Sequence, residues 1–314
     1  MKLYKYISPE LWDKILKAKQ IRFTQPGIFN DPFEMQPFYE SLAEDPEVQK
    51  NLNETETRNT LENLFNEQYP NLPTDVQNLV PREFLTVFAE MVAPLAVNHA
   101  PEVLDGFTQA IRGGFYKGFN ESIGVLALTE KPDNLLMWAH YAQNHKGFVI
   151  EFDSDHEYFH QQLSPSDELR HIRKVRYSDK RPNIRLSTFE DAADIFLTKS
   201  KEWEYEQEWR IMRPLQDAMV VRGTTGDAIH LFYLPPDCVT GIIFGCRMLV
   251  NLRKEMSEYL IREKQYSHLK KYDAVLDERE FKIGFGSGRK SNKALQLTAR
   301  QHASQVAWFL QLGC

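Results

Sequence analysis

The hydrophobic and polar positions of this chain change period often, and each change predicts an element. Residues 2–6 read as a short strand. Ser8-Pro9-Glu10 then opens a helix to about Lys19, with Ser8 as N-cap and Pro9 at the first helical position. Gln20–Thr24 reads as a strand, and the Pro26-Gly27 and Asn30-Asp31-Pro32 turns make 25–34 a structured loop. Residues 40–120 read as mostly helical, interrupted at Gly113-Gly114, and form an insertion or lid on the core. Ile123–Thr129 is a buried strand, and Pro132-Asp133 starts a helix through about His145 that Gly147 stops. In the next strand Phe148, Ile150 and Phe152 share one face and Val149, Glu151 and Asp153 the other. Further strands are expected at 171–177, 208–212, 229–234, 239–244, 271–276 and 280–284, with helices at 188–201 and 247–263.

This irregular order predicts an α+β fold: a mixed, mainly antiparallel sheet core with a large helical insertion, in a single domain over 1–284. The 314 residues are 42% hydrophobic and 26% charged, as in globular proteins. The net charge of −6 argues against strong nonspecific attraction to nucleic acid. Residues 285–314 differ, with four basic residues and no acids, and read as a flexible tail. Cys238, Cys246 and Cys314 form neither a metal-ligand motif nor an even disulfide set. The first residues lack a signal-peptide core, and no run approaches the roughly 18 apolar residues of a membrane span. A cytoplasmic protein with no membrane partner is the expectation.

The densest chemistry lies in Trp203-Glu204-Tyr205-Glu206-Gln207-Glu208-Trp209-Arg210-Ile211. In a strand beginning near 206, Glu206, Glu208 and Arg210 share a face and Trp209 and Ile211 form the core side. That charged face is either solvated or lines a cleft, where a carboxylate steered by an arginine stabilises developing positive charge. The loop from Phe23 through Asn30, Asp31, Phe33 and Glu34 either holds itself together or grips a flat ring. In Met137–Gly147, His140 is either a buried, hydrogen-bonded core residue or lines a pocket with Tyr141. No P-loop or dinucleotide-binding glycine motif is present.

Leu3-Tyr4-Lys5-Tyr6, Phe29-Asn30-Asp31-Pro32-Phe33-Glu34, Leu136-Met137-Trp138-Ala139-His140-Tyr141, Trp203 through Arg210, and Leu234-Pro235-Pro236 with Phe244-Gly245-Cys246 occur in this order. The set resembles a large bacterial family known as a domain of unknown function, over about residues 2–284. A more distant resemblance is to ADP-ribosyltransferase-like folds, especially DNA-targeting bacterial toxins. It implies NAD as co-substrate, a nucleic acid or protein as acceptor, no metal, and a toxin or phage-defence role. Glu206-Gln207-Glu208 resembles that family's Glu-x-Glu signature, with Glu208 catalytic and Glu206 and Arg210 beside it. Tyr4 and Lys5 fall at its first NAD-pocket motif, with Lys5 where a histidine is usual. Arg22, Asn30, Asp31, Phe33, His140 and Tyr141 complete the implied cofactor pocket. Two other readings stand beside this one: a noncatalytic nucleotide- or protein-binding module, and a metal-dependent hydrolase or nuclease using Asp31, Glu34, Glu151 and Glu208.

Overall fold

The computed structural model describes residues 1–286 apart from 47, 49–53, 73, 81, 99, 166, 168, 187–192 and 224–227. In chain order it opens with β1 (Lys2–Ile7), a 3-10 turn at Pro9–Leu11, a π-helical turn at Asp13–Lys17 and β2 (Gln20–Phe23). The expected helix over 8–19 is thus replaced by two tighter and wider turns, and the Ser8 side chain caps nothing. β3 (Phe38–Tyr39) precedes the helices α1 (Glu54–Gln68), α2 (Thr74–Leu79), α3 (Arg82–Asn98) and α4 (Ala100–Ser122). β4 (Ile123–Thr129), α5 (Leu135–Tyr141) and β5 (Phe148–Asp153) follow.

The middle of the chain supplies β6 (Arg173–Lys174), β7 (Arg176–Ser178), β8 (Asn183–Ile184), α6 (Ala193–Leu197), β9 (Thr198–Ser200) and β10 (Glu208–Pro214). The last elements are β11 (Val220–Arg222), β12 (Ile229–Tyr233), β13 (Val239–Phe244), α7 (Val250–Arg262), β14 (Lys270–Leu276) and β15 (Ile283–Gly286). The fold is α+β with a mixed, mainly antiparallel sheet. Among the described residues no helix is long and apolar enough to cross a membrane.

The chain divides into two compact units: Met1–Lys19, Thr129–Ser154 and Leu234 onward form the first, Gln20–Leu128 and Asp155–Tyr233 the second. In the first, the strands run in the order β15-β14-β13-β5-β1, antiparallel except β13 with β14. β5 is buried on both faces, with only Asp153 exposed, so Val149 and Glu151 are as enclosed as Phe148, Ile150 and Phe152. α5 is shorter than expected. Asn134 caps it by accepting from the Met137 N–H at 3.0 Å. After Tyr141, however, Gln143, Asn144 and His145 all take positive φ and end the helix. Gly147 has no room for a side chain: a Cβ there would lie 2.0 Å from the Ile7 carbonyl oxygen. Trp138 is fully buried, donates to the Pro132 carbonyl at 2.8 Å and meets Tyr6 edge-on at 5.3 Å.

In the second unit β10 neighbours β4 and β6, and β2 pairs with β12. Its core joins the helices to these strands through Leu61, Val92, Leu104, Phe119, Val125 and Met212. α4 runs unbroken through Gly106, Gly113, Gly114 and Gly118, against the expected interruption. Glycine costs a helix about 1 kcal/mol relative to alanine. Leu104, Ile111, Phe115 and Phe119 recur on one face and pack inward, which offsets that cost. The helix expected over 188–201 falls partly outside the described residues, and its end is the strand β9 instead. The expected tail lies outside the described residues from 287 on, while Phe285 and Gly286 belong to β15.

Candidate functional site

Two of the segments marked in the sequence meet inside the second unit. Strand β10 begins at Glu208, not at 206. Residues 201–206 form a 3-10 helix ending at Glu206, and Gln207 closes it in the left-handed conformation (φ 42°, ψ 56°). Glu206 and Glu208 therefore do not share a strand face, yet both reach one ammonium. Lys199 Nζ donates to Glu206 Oε2 at 2.7 Å and to Glu208 Oε2 at 2.9 Å. Lys199 sits on β9 opposite Tyr177 of β7, and the Tyr177 hydroxyl accepts the Glu208 N–H at 2.7 Å.

Arg210 completes the cluster from the next inward position of β10. Its Nε donates to Glu208 Oε1 at 2.7 Å and its Nη1 to the Phe196 carbonyl at 2.7 Å. Its Nη2 donates to Glu34 Oε1, which ties the 29–34 loop to β10. The second Glu34 oxygen lies 3.6 Å from Lys199 Nζ, beyond a normal hydrogen bond. Aromatic rings cover both cations: Phe29 lies 5.7 Å from the Arg210 guanidinium and Trp203 4.9 Å from Lys199 Nζ. All five charged side chains are buried, so the charged face of β10 is not solvated, whereas Trp209 is only half-buried.

Three carboxylates face two cations, and the surroundings of Glu34 and Glu208 shift those two in opposite directions. Burial raises Glu208, but Arg210 and Lys199 outweigh it and hold the group down to about 2. Burial also dominates at Glu34, where Arg210 and Lys199 do not fully offset it and the Glu208 charge adds to it, so Glu34 is raised. Lys199 and Arg210 are both raised: burial opposes their charge, and the carboxylates around them more than compensate.

A cleft of about 260 Å³ opens over this cluster, lined by Asp31, Phe33, Glu34, Arg181 and Lys199, with Lys180 and the Ser178 and Ser200 positions around it. Glu34 and Lys199 are its buried carboxylate and ammonium. Phe33 is exposed, with the Arg181 guanidinium 5.6 Å from its ring, and Arg181 Nε donates to the Gln36 carbonyl at 2.7 Å. Asp31 is occupied with its own loop, accepting the Phe33 N–H at 2.9 Å in an Asx-turn. Glu206, Glu208 and Arg210 lie beneath the cleft and do not line it.

The remaining residues expected at a cofactor pocket are dispersed. Asn30 is exposed and is not among the cleft-lining residues. Arg22 sits half-buried on β2 opposite Leu231 of β12, and burial lowers its pKa. Tyr4, Lys5, His140 and Tyr141 belong to the first unit. There the Tyr4 hydroxyl donates to Glu151 at 3.5 Å, and Lys5 pairs with Ile150. His140 is exposed, which removes the reading of a buried core histidine. Of the four acids considered for a metal, Glu151 lies in the first unit, while Glu34 and Glu208 are engaged by Arg210 and Lys199. Among the described residues no group of three or more His, Cys, Asp or Glu side chains is arranged to hold a metal ion. The residues missed from the sequence are Lys199, Arg181 and Tyr177. The one available signal was Lys199 itself, a charge between Thr198 and Ser200 directly after the apolar Ile195-Phe196-Leu197.

A family model described as "Protein of unknown function (DUF2971)" matches residues 137–211. That span contains α5 from Met137 on, β5, Lys199 and the whole Trp203–Arg210 segment, but not Glu34. No curated protein and no solved structure matches the chain.

Proposed function

We propose that the cleft of the second unit binds a nucleotide, with NAD as the ligand and transfer of ADP-ribose to a nucleic acid or protein as the reaction. The supporting observation is a buried carboxylate and a buried ammonium, Glu34 and Lys199, at the floor of a cleft whose wall carries Phe33, Lys180 and Arg181. Lys180 and Arg181 offer cationic donors for phosphate oxygens. Phe33 offers an exposed ring face against which a base or nicotinamide stacks. Glu34 Oε2, free of a close hydrogen bond to Lys199, is an acceptor for a ribose hydroxyl. In ADP-ribose transfer nicotinamide leaves with the electron pair of its bond to ribose, and the acceptor's nucleophile takes its place. A fixed carboxylate near the ribose stabilises the positive charge that develops in between. Glu34 takes that role here, and Glu208 acts as a positioning residue that anchors Lys199 and Arg210.

The test is nicotinamide release from NAD by the purified chain with DNA, RNA and protein acceptors, beside calorimetric binding of NAD. Release that drops at least about 100-fold in Glu34→Gln, with NAD still bound, supports the reading. Absence of release with every acceptor rejects transfer, and equal release from Glu34→Gln rejects Glu34 as the stabilising carboxylate. A second reading, nucleotide binding without turnover, is favoured by one observation: both Glu208 oxygens are already engaged by Arg210 and Lys199. Tight NAD binding with no release selects it.

A further inference from the structure

The helical part of the second unit holds a larger and chemically opposite cavity. It measures about 460 Å³ and lies between α1, α3 and α4. Its side chains are all apolar. Phe88 and Phe107 meet edge-on at 5.1 Å at its base. Along α3, Phe84, Val87 and Met91 line it at helical spacing, yet stand 60%, 55% and 60% exposed. On α4, Gly114 and Gly118 lie within the same lining, and a Cβ built on either would meet nothing within 4 Å. The α4 wall extends from Phe107 to Phe119, about 18 Å at 1.5 Å per residue. The shape is an elongated trough three turns long, with side chains missing on one wall where an incoming helix would lie.

The surrounding charge specifies the visitor. Residues 54–122 carry ten acidic and four basic side chains, a net charge of −6 that equals that of the whole chain. Within three residues of the lining positions Phe65, Met91, Phe107, Ile111 and Gly118 lie Glu62, Glu67, Glu90, Asp105 and Glu121 but also Arg112 and Lys117, the last 3.9 Å from Glu121, so acids outnumber bases there. A groove of phenylalanine and methionine inside an acidic surround is complementary to a helix with one apolar and one basic face. We infer that this trough seats an amphipathic helix of a partner protein, its apolar residues at i, i+3/i+4 and i+7 in the groove and its lysines or arginines toward the acidic surround. The site is independent of the nucleotide cleft: none of its lining residues is shared.

The probe is an 18-residue peptide with leucine and phenylalanine at those positions and lysine elsewhere, compared with a counterpart bearing glutamate for lysine. Both are titrated into the full chain by fluorescence anisotropy. The lysine peptide binds at least tenfold more tightly than the glutamate peptide, and its affinity falls with added salt. Gly118→Leu sets its Cβ in open space and projects into the trough, so binding drops at least tenfold while circular dichroism and the melting temperature hold or rise. Phe84→Ser, at an exposed position, weakens binding with the fold retained. Equal binding of the two peptides overturns the basic partner, and binding unaffected by both substitutions overturns the site. A synthetic 287–314 peptide that displaces the lysine peptide at lower concentration assigns the trough to this chain's own sequence and overturns a separate partner.

Discussion

Glu151 in the first unit and Glu208 in the second are equally hidden carboxylates, 3% and 4% exposed, but they are balanced in different ways. Glu151 leans on the Thr240 hydroxyl at 2.8 Å, the Tyr4 hydroxyl at 3.5 Å and one lysine, Lys2 at 2.8 Å, whose side chain is half exposed. Water and salt reach that lysine and weaken its hold. Glu208 faces two cations that are themselves buried, and each of those also serves another acid. Burial of an acid is thus a poor guide to its role. What separates the two sites is whether the counter-charge is also withdrawn from water, because only then does each member depend on all the others.

The largest expected effect tests that dependence. Arg210→Met leaves Glu34 and Glu208 without their shared guanidinium and costs about 3–5 kcal/mol in urea unfolding. A loss no greater than that from replacing a surface lysine would erase the distinction between the sites.

The next effect is a dependence on pH that the second unit should show. Glu208, depressed from its ordinary 4.5 to about 2, contributes stability present above 4.5 and lost as pH falls through about 2. Glu34 is raised and has the opposite sign: its contribution is full below 4.5 and is lost as pH rises through its folded value. Glu34→Gln therefore flattens the decline of stability above pH 4.5 while leaving the acid limb in place. Urea midpoints across a pH series read this directly, and an unchanged profile would mean that Glu34 is not raised.

The smallest effects belong to the first unit. Thr240→Val removes one hydroxyl from Glu151 and costs about 1 kcal/mol, and Lys2→Met costs about 0–1 kcal/mol with strong salt dependence. If Lys2→Met proved as damaging as Arg210→Met, exposure of the counter-ion would not be the deciding variable.

Much of this was legible from residue order alone. The strands at 2–6, 123–129, 148–153 and 239–244 follow from β-branched and aromatic runs, and the helical region was expected over 40–120, where the helices lie between Glu54 and Ser122. The charged, aromatic segments at 29–34 and 203–210 were recognisable because each places acids among rings, a combination that neither a plain core nor a plain surface requires. Their union through Glu34 and Arg210 was not legible: it spans 176 residues and depends on the tertiary path. Lys199 was hidden for a different reason. Local spacing favoured continuing the 188–201 helix, whereas pairing with β7 pulls Thr198–Ser200 into a strand. The early stop after Tyr141 was only partly legible: Asn144 and His145 are residue types that favour positive φ, but Gln143 is not.

Gln207 has one more consequence. A left-handed residue between two glutamates makes Glu-Gln-Glu a pincer: one jaw ends a 3-10 turn, the other begins a strand, and both close on a single ammonium. The left-handed turn at Gln207 (φ 42°, ψ 56°) redirects the chain between the two jaws. Residue 207 thereby turns two neighbouring acids onto one ammonium, while the second of them, Glu208, still grips the Arg210 guanidinium through both oxygens.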